Sequence, residues 1–337
     1  MAWSGSPWSW SGPGRREDLI PLHSERECAE TRHEREPEGG ESGLKGSGSG
    51  EARSFPVVGV HPVATDRSMS VVQLAAEVEA RGLGSISLPE HTHIPVDSRA
   101  LVEGWSVEEH YQRTLDPYIA GAFVAATTSL EIGTAVSLVA QHDAIALAKA
   151  IATLDHLSGG RVVLGVGFGY NQQEMQDHGV PVKQRFQVVE ETVALMRALW
   201  TEEVASYEGR YRRLSPSLSW PKPARPGGPP VLLGGRPTER NLARIVGWAD
   251  GWIPAGIGVT ASVAAAVKEL GVRWNDAGRA GAPEICCFLA RGSRDELARE
   301  IERAAEIGVR RLSVRLEELP RDLVLPVLDD MAAALPT

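Results

Sequence analysis

From Phe55 onward the chain repeats one unit eight times: a short β-branched or apolar run, then a stretch with helical amphipathic spacing. The runs are Val57 to Val60, Ser85 to Leu88, Glu131 to Val136, Val162 to Val166, Val231 to Leu233, Gly251 to Pro254, Ile285 to Leu289 and Leu312 to Val314. Strands that alternate with helices form a parallel sheet covered by those helices, and eight such units over roughly 250 residues match the size of a closed barrel. The expected class is therefore α/β, a (β/α)8 barrel.

Local punctuation supports the helices. Asp116 before Pro117 reads as an N-cap with proline at the first helical position, and Ser293 with Glu296 as a capping box. Gly159 and Gly160 supply a helix stop after Ser158. The connections from Pro89 to Thr114 and from Trp200 to Pro230 are too long for simple loops and are expected to be insertions that shape a substrate pocket. The second contains an expected hairpin, Val204 to Leu214, around Glu208-Gly209.

Residues 1–53 differ from the rest, being rich in Gly, Ser, Glu and Arg, and are expected to form a disordered N-terminal extension to a barrel domain of residues 54–337. Its tryptophans, Trp3, Trp8 and Trp10, suggest either a docking segment or an extension that arises from an upstream start codon. A net charge of -9 argues against nucleic-acid or anionic-lipid partners, which require clustered Lys and Arg, so the expected partner is a small molecule. No apolar run approaches the length of a membrane span and no secretory segment opens the chain, so a cytoplasmic location is expected. Cys28 and the adjacent Cys286 and Cys287 form neither a disulfide framework nor a zinc spacing; the adjacent pair should face opposite sides of one strand.

A β/α barrel places its site at the carboxyl ends of the strands. There the second run delivers Glu90 and His91 within Leu88-Pro89-Glu90-His91-Thr92-His93, and an imidazole whose pKa lies near working pH can give or take a proton. His91 and His93 also suggest a metallohydrolase, but the fifth, sixth and eighth runs end without further ligands, so no metal is expected. Gly165 to Asn171 ends the fourth run in glycines that permit close backbone approach. Gly234-Gly235-Arg236 precedes a helix, where backbone amides and a guanidinium make a phosphate cradle. Trp105, Tyr111 and Trp220 lie in the long connections, either as pocket walls or as anchors of small local cores.

Five ordered segments carry a resemblance: LPEHTHIP, RTLDPYIAGAFVAATT, Gly133 to Met175, SWPKPARPGGPPVLLGG and WADGWIP. Together they resemble the luciferase-like monooxygenase superfamily, and more closely its deazaflavin (coenzyme F420) dependent oxidoreductases. The resemblance implies a bacterial-luciferase-like TIM barrel with insertions, holding a flavin-type ring at its strand ends. It implies catalytic roles for His91 and Glu90 beside that ring, and a non-prolyl cis peptide at Ala135-Val136 against it. Gly167, Phe168, Gly169, Asn171 and Glu174 would line the cofactor's tail, and Gly234, Gly235 and Arg236 its phosphate. The chain has Glu-His where deazaflavin relatives often have Asp-His. The implied function is hydride transfer between F420 and an organic substrate, the alternatives being an FMN-dependent monooxygenase using dioxygen and a non-catalytic ligand- or partner-binding barrel. Relatives are frequently homodimers.

Overall fold

All eight β-branched runs are strands of one closed parallel barrel. In the computed structural model, which describes residues 55–96, 98 and 108–336, the strands are β1 (Val57–Pro62), β2 (Ser85–Leu88), β3 (Glu131–Ser137), β4 (Val162–Val166), β5 (Ala205–Glu208), β6 (Arg213–Ser217), β7 (Val231–Gly235), β8 (Gly251–Pro254), β9 (Glu284–Leu289) and β10 (Arg311–Leu316). The barrel runs β1-β10-β9-β8-β7-β4-β3-β2 and closes between β2 and β1, while β5 and β6 form the antiparallel hairpin expected in the longer insertion. The helices are α1 (Val71–Ala80), α2 (Pro117–Thr127), α3 (Ala144–Ser158), α4 (Gln172–Asp177), α5 (Arg185–Thr201), α6 (Glu239–Trp248), α7 (Ala261–Asp276), α8 (Arg294–Glu306) and α9 (Arg321–Ala333). The expected tail of residues 1–53, with Trp3, Trp8, Trp10 and Cys28, lies outside the described residues, as does Trp105.

The caps act where the sequence places them. The Asp116 carboxylate accepts the amides of Tyr118 and Ile119 at the start of α2. Ser293 and Glu296 form both halves of the capping box on α8, and Gly159 closes α3 with φ of 72°. Each cap supplies partners for amides or carbonyls that a helix end leaves open, worth about 1 kcal/mol at an N-cap.

Because side chains alternate across a strand, each barrel strand feeds two cores. Outward residues such as Ile86, Leu88, Leu164, Leu233 and Trp252 pack beneath the helices in one large cluster. Fully burying such a side chain stabilises the fold by about 1.5–3 kcal/mol. Inward residues Val163, Leu232, Ile253 and Cys286 form a second, small cluster inside the barrel. Cys286 and Cys287 thus face opposite ways, one into each core. Burial pushes their thiols up to about 11 and about 12.

The amino-terminal end of the barrel is closed by charge. Arg311 at the start of β10 reaches Glu131 on β3 at 2.7 Å and also pairs with Glu284 on β9. Burial alone would lower the Arg311 pKa, but the two carboxylates outweigh it and raise it. A charge taken from water is tolerable only with such partners. These ion pairs plug the end of the barrel opposite the carboxyl ends of the strands.

Candidate active site

The segment after β2 contributes two adjacent residues with separate tasks. Glu90 is 5% exposed. One of its oxygens accepts the Ser137 hydroxyl at 2.7 Å and the Leu138 amide at 2.6 Å, and the other meets His142 Nε2 at 2.6 Å. Since Ser137 donates its proton to Glu90, Tyr118 donates its hydroxyl to Ser137 Oγ at 2.6 Å. Burial would raise the Glu90 pKa, but His142 and the two other donors outweigh burial and hold it below the usual carboxylate range. For His142 burial would lower the value, and the Glu90 carboxylate reverses that and raises it. In this arrangement Glu90 acts as a clamp that ties the end of β2 to the end of β3 through three donors.

His91 points the other way, into a shell of aromatic and acidic side chains. Its Nδ1 lies 2.9 Å from Glu174 on α4, and the second Glu174 oxygen accepts the Thr92 amide at 3.2 Å. Its Nε2 lies 3.1 Å from the Tyr170 hydroxyl. The rings of Tyr111 and Tyr170 flank it at centroid distances of 5.0 and 5.4 Å. Glu174 is 1% exposed, and its carboxylate is engaged by His91 and the Thr92 amide. Asn171 is likewise engaged locally: its oxygen accepts the Glu174 amide at the start of α4, and its Nδ2 donates to Ser98 Oγ at 2.9 Å. His93 pairs with Asp177 at 2.9 Å at the surface.

Ala135 and Val136 are joined by a non-prolyl cis peptide bond, as the resemblance implied. The β3–β4 register shifts there, between Thr134 and Ser137, and both residues are half-buried between fully buried neighbours. Two glycines leave room for Val136. A Cβ on Gly234 would lie 2.8 Å from Val136 Cγ1, and one on Gly167 would collide with Val136 Cγ2. The need for glycine at the ends of β4 and β7 is therefore first a packing need: those strands receive the side chain of the bulge.

Beyond the bulge, Phe168 is half-buried with its ring edge against Phe186 at 4.5 Å, and the Arg244 guanidinium lies over both rings. Gly169 takes φ of 73° beneath Tyr170. Gly234 and Gly235 are half-buried and Arg236 is exposed. The Arg236 carbonyl accepts Asn241 Nδ2 at 2.9 Å, while Thr238 caps α6 through the Asn241 amide. Tyr111 stands at the site against His91, whereas Trp220 is 61% exposed.

Sequence reasoning does not select Tyr170, His142, His61 or Arg315. His61 is near the end of β1, donating Nδ1–H to the Ser87 carbonyl at 2.8 Å and packing on Phe288 at 4.7 Å. Burial pushes its pKa down to about 4. Arg315, near the end of β10, lies 3.4 Å from Glu108. Both occupy strand ends, the signal that singles out His91, but inside strands whose patterns read as core.

The luciferase-like monooxygenase family model matches residues 54–319. An uncharacterised protein of Mycobacterium tuberculosis is 41% identical over 276 residues, spanning 80% of this chain and 95% of the relative. An F420-dependent glucose-6-phosphate dehydrogenase of Segniliparus rotundus is 38% identical over 137 residues, 40% of each chain. Among solved structures, an F420-dependent secondary alcohol dehydrogenase superposes with a TM-score of 0.67 at 17% identity, covering 84% of this chain and 99% of that one. A monooxygenase of Streptomyces bottropensis gives 0.66 at 17% identity, covering 82% and 98%. These two share the fold. With the family model matching most of the barrel, the chain belongs to the luciferase-like monooxygenase family.

Proposed function

We propose that this chain is a deazaflavin-dependent oxidoreductase that moves hydride between coenzyme F420 and an organic substrate, with His91 handling the accompanying proton. The observation that carries this is the mouth of the barrel, where a half-buried bulge, two flanking glycine loops and a carboxylate-paired histidine occur together. The similarity over 137 residues to an F420-dependent dehydrogenase favours deazaflavin over FMN.

The residues present fit such a group. Gln141 is 7% exposed, and neither its amide oxygen nor its nitrogen has a hydrogen-bond partner among the described residues. Its Nε2 would stand 3.6 Å from a Cβ on Gly169, so an orphaned donor and acceptor lie beside the glycine loop. Unpaired buried polar atoms are costly, and a ligand edge or ordered water removes that cost. Ala135 and Val136 would meet the ring, Gly167 and Gly169 the tail, and Gly234, Gly235 and Arg236 a phosphate.

A bound deazaflavin supplies the hydride chemistry. The protein supplies the rest. Ion pairs plug the far end of the barrel, the Glu90 clamp fixes the strand bearing the bulge, and His91 holds a proton position defined by Glu174.

A fluorescence titration of the purified protein with F420, and separately with FMN, tests this. Saturable F420 binding without FMN binding supports the assignment. Preference for FMN moves the chain to dioxygen chemistry, and binding of neither removes the redox assignment.

A further inference from the structure

We propose that the proton reaches the mouth through the Tyr170 hydroxyl, with His91 behind it as the proton store and Glu174 as the positioning residue that fixes the His91 tautomer. This rests on the oxidoreductase reading above. The His91 side chain is 6% exposed and both of its nitrogens are covered, Nδ1 by Glu174 and Nε2 by Tyr170. A carboxylate only accepts hydrogen bonds, so the contact at 2.9 Å places the imidazole proton on Nδ1. Glu174 has no freedom to turn away, because its other oxygen holds the Thr92 amide and α4 is fixed by the Asn171 cap. In the neutral ring Nε2 is then an acceptor, and the contact at 3.1 Å is Tyr170 O–H donating to His91.

The relay follows from that direction. In oxidation of an alcohol, a bound oxidised deazaflavin would be the oxidant, taking the hydride and its two electrons as the C–H bond breaks. The substrate O–H bond breaks too; its proton passes to the Tyr170 oxygen while Tyr170's own proton passes to His91 Nε2. His91 becomes an imidazolium whose added charge faces the Glu174 carboxylate. Reduction runs the same steps in reverse. Burial raises the Tyr170 pKa, so between turnovers the phenol keeps its proton and stays ready to pass it. Tyr170 is half-buried at the end of the glycine loop, and the His91 side chain in contact with it is 6% exposed.

The decisive measurement is the 15N NMR signature of His91 in the full chain without cofactor. The expected singly protonated ring carries its proton on Nδ1. A proton on Nε2 would overturn the relay, since Tyr170 would then accept from His91. Turnover gives a second reading, with glucose 6-phosphate and 2-propanol as probe substrates. For whichever the wild type oxidises, Tyr170→Phe should lower the rate by about 100-fold, at the low end for general acid–base catalysis, with F420 affinity held within about twofold. His91→Ala should do similar damage, and the double variant should be no slower than His91→Ala alone, because groups acting in series are not additive. A Tyr170→Phe rate within about twofold of wild type would refute the proposal. The tautomer decides the relay whether or not either probe is oxidised, and failure of the cofactor assignment appears separately as no F420 binding by the wild type.

Discussion

Replacing Glu90 with glutamine tests whether that carboxylate is a clamp, and its cost follows from the three contacts. The side-chain carbonyl of the Glu90→Gln variant can keep the Ser137 hydroxyl and the Leu138 amide, which share one Glu90 oxygen in the wild type. The new amide nitrogen then faces His142 Nε2, which accepts only if His142 gives up its proton. The variant therefore loses one charge-assisted pair without stranding a buried charge. The expected loss is about 1.5–3 kcal/mol, the range for hydrogen bonds to charged groups, below the ~3–5 kcal/mol seen when a buried ion is left alone. The pH dependence has a definite sign. Glu90 is lowered from its ordinary 4.5, so its share of the stability is present above that value and is lost as pH falls through the folded pKa. His142 is raised from 6.5, so its share is present below that value and is lost as pH rises through the folded pKa. Both shares are present between 4.5 and 6.5. Urea unfolding of wild type and Glu90→Gln at three pH values should show the largest gap inside that window and a smaller one at alkaline pH. A gap that is independent of pH, or below about 0.5 kcal/mol throughout, refutes the clamp.

Three other perturbations have expected outcomes. Arg311→Met leaves Glu131 and Glu284 unpaired at the plugged end and should cost about 1–3 kcal/mol in urea unfolding. Cys286 and Cys287 should resist iodoacetamide at pH 8 in the native protein and react once it is unfolded, as read by peptide mass spectrometry, because the reactive thiolate is suppressed by burial. Gly167→Ala drives a methyl group into Val136 and should destabilise by about 1–3 kcal/mol, and Val136→Ala in the same chain should recover part of that loss in thermal melts.

The barrel is legible in the sequence because its signals are local. β-branched runs, an Asp-Pro cap and a Ser/Glu capping box act within a few residues, and the structure has each where the sequence puts it. The hairpin is legible for the same reason. The site is legible only in part. Position after a strand picks out His91 and Glu90, but nothing local says which acid serves which imidazole. His91 finds Glu174 across 83 positions, and Glu90 finds His142 across 52. The plug of Arg311 on Glu131 spans 180 positions. His61 escapes notice because it lies within an otherwise apolar strand, and its lowered pKa follows from burial that only the closed barrel creates.

Adjacent positions 90 and 91 thus enter two acid–imidazole pairs in opposite roles. Glu90 is the acid of one pair and His91 the base of the other. The alternation that sends successive side chains to opposite sides of an extended segment explains the split. On one side the segment is tied to the end of β3, with Tyr118 behind Ser137; on the other it is tied to α4 through Glu174. The Glu90 pair holds two strand ends together, with the Glu90 side chain 2% and the His142 side chain 21% exposed. The His91 pair differs in meeting a phenol, the Tyr170 hydroxyl, through the imidazole nitrogen that Glu174 leaves open. Loss of Glu90 should therefore register first in stability, and loss of Tyr170 first in proton transfer.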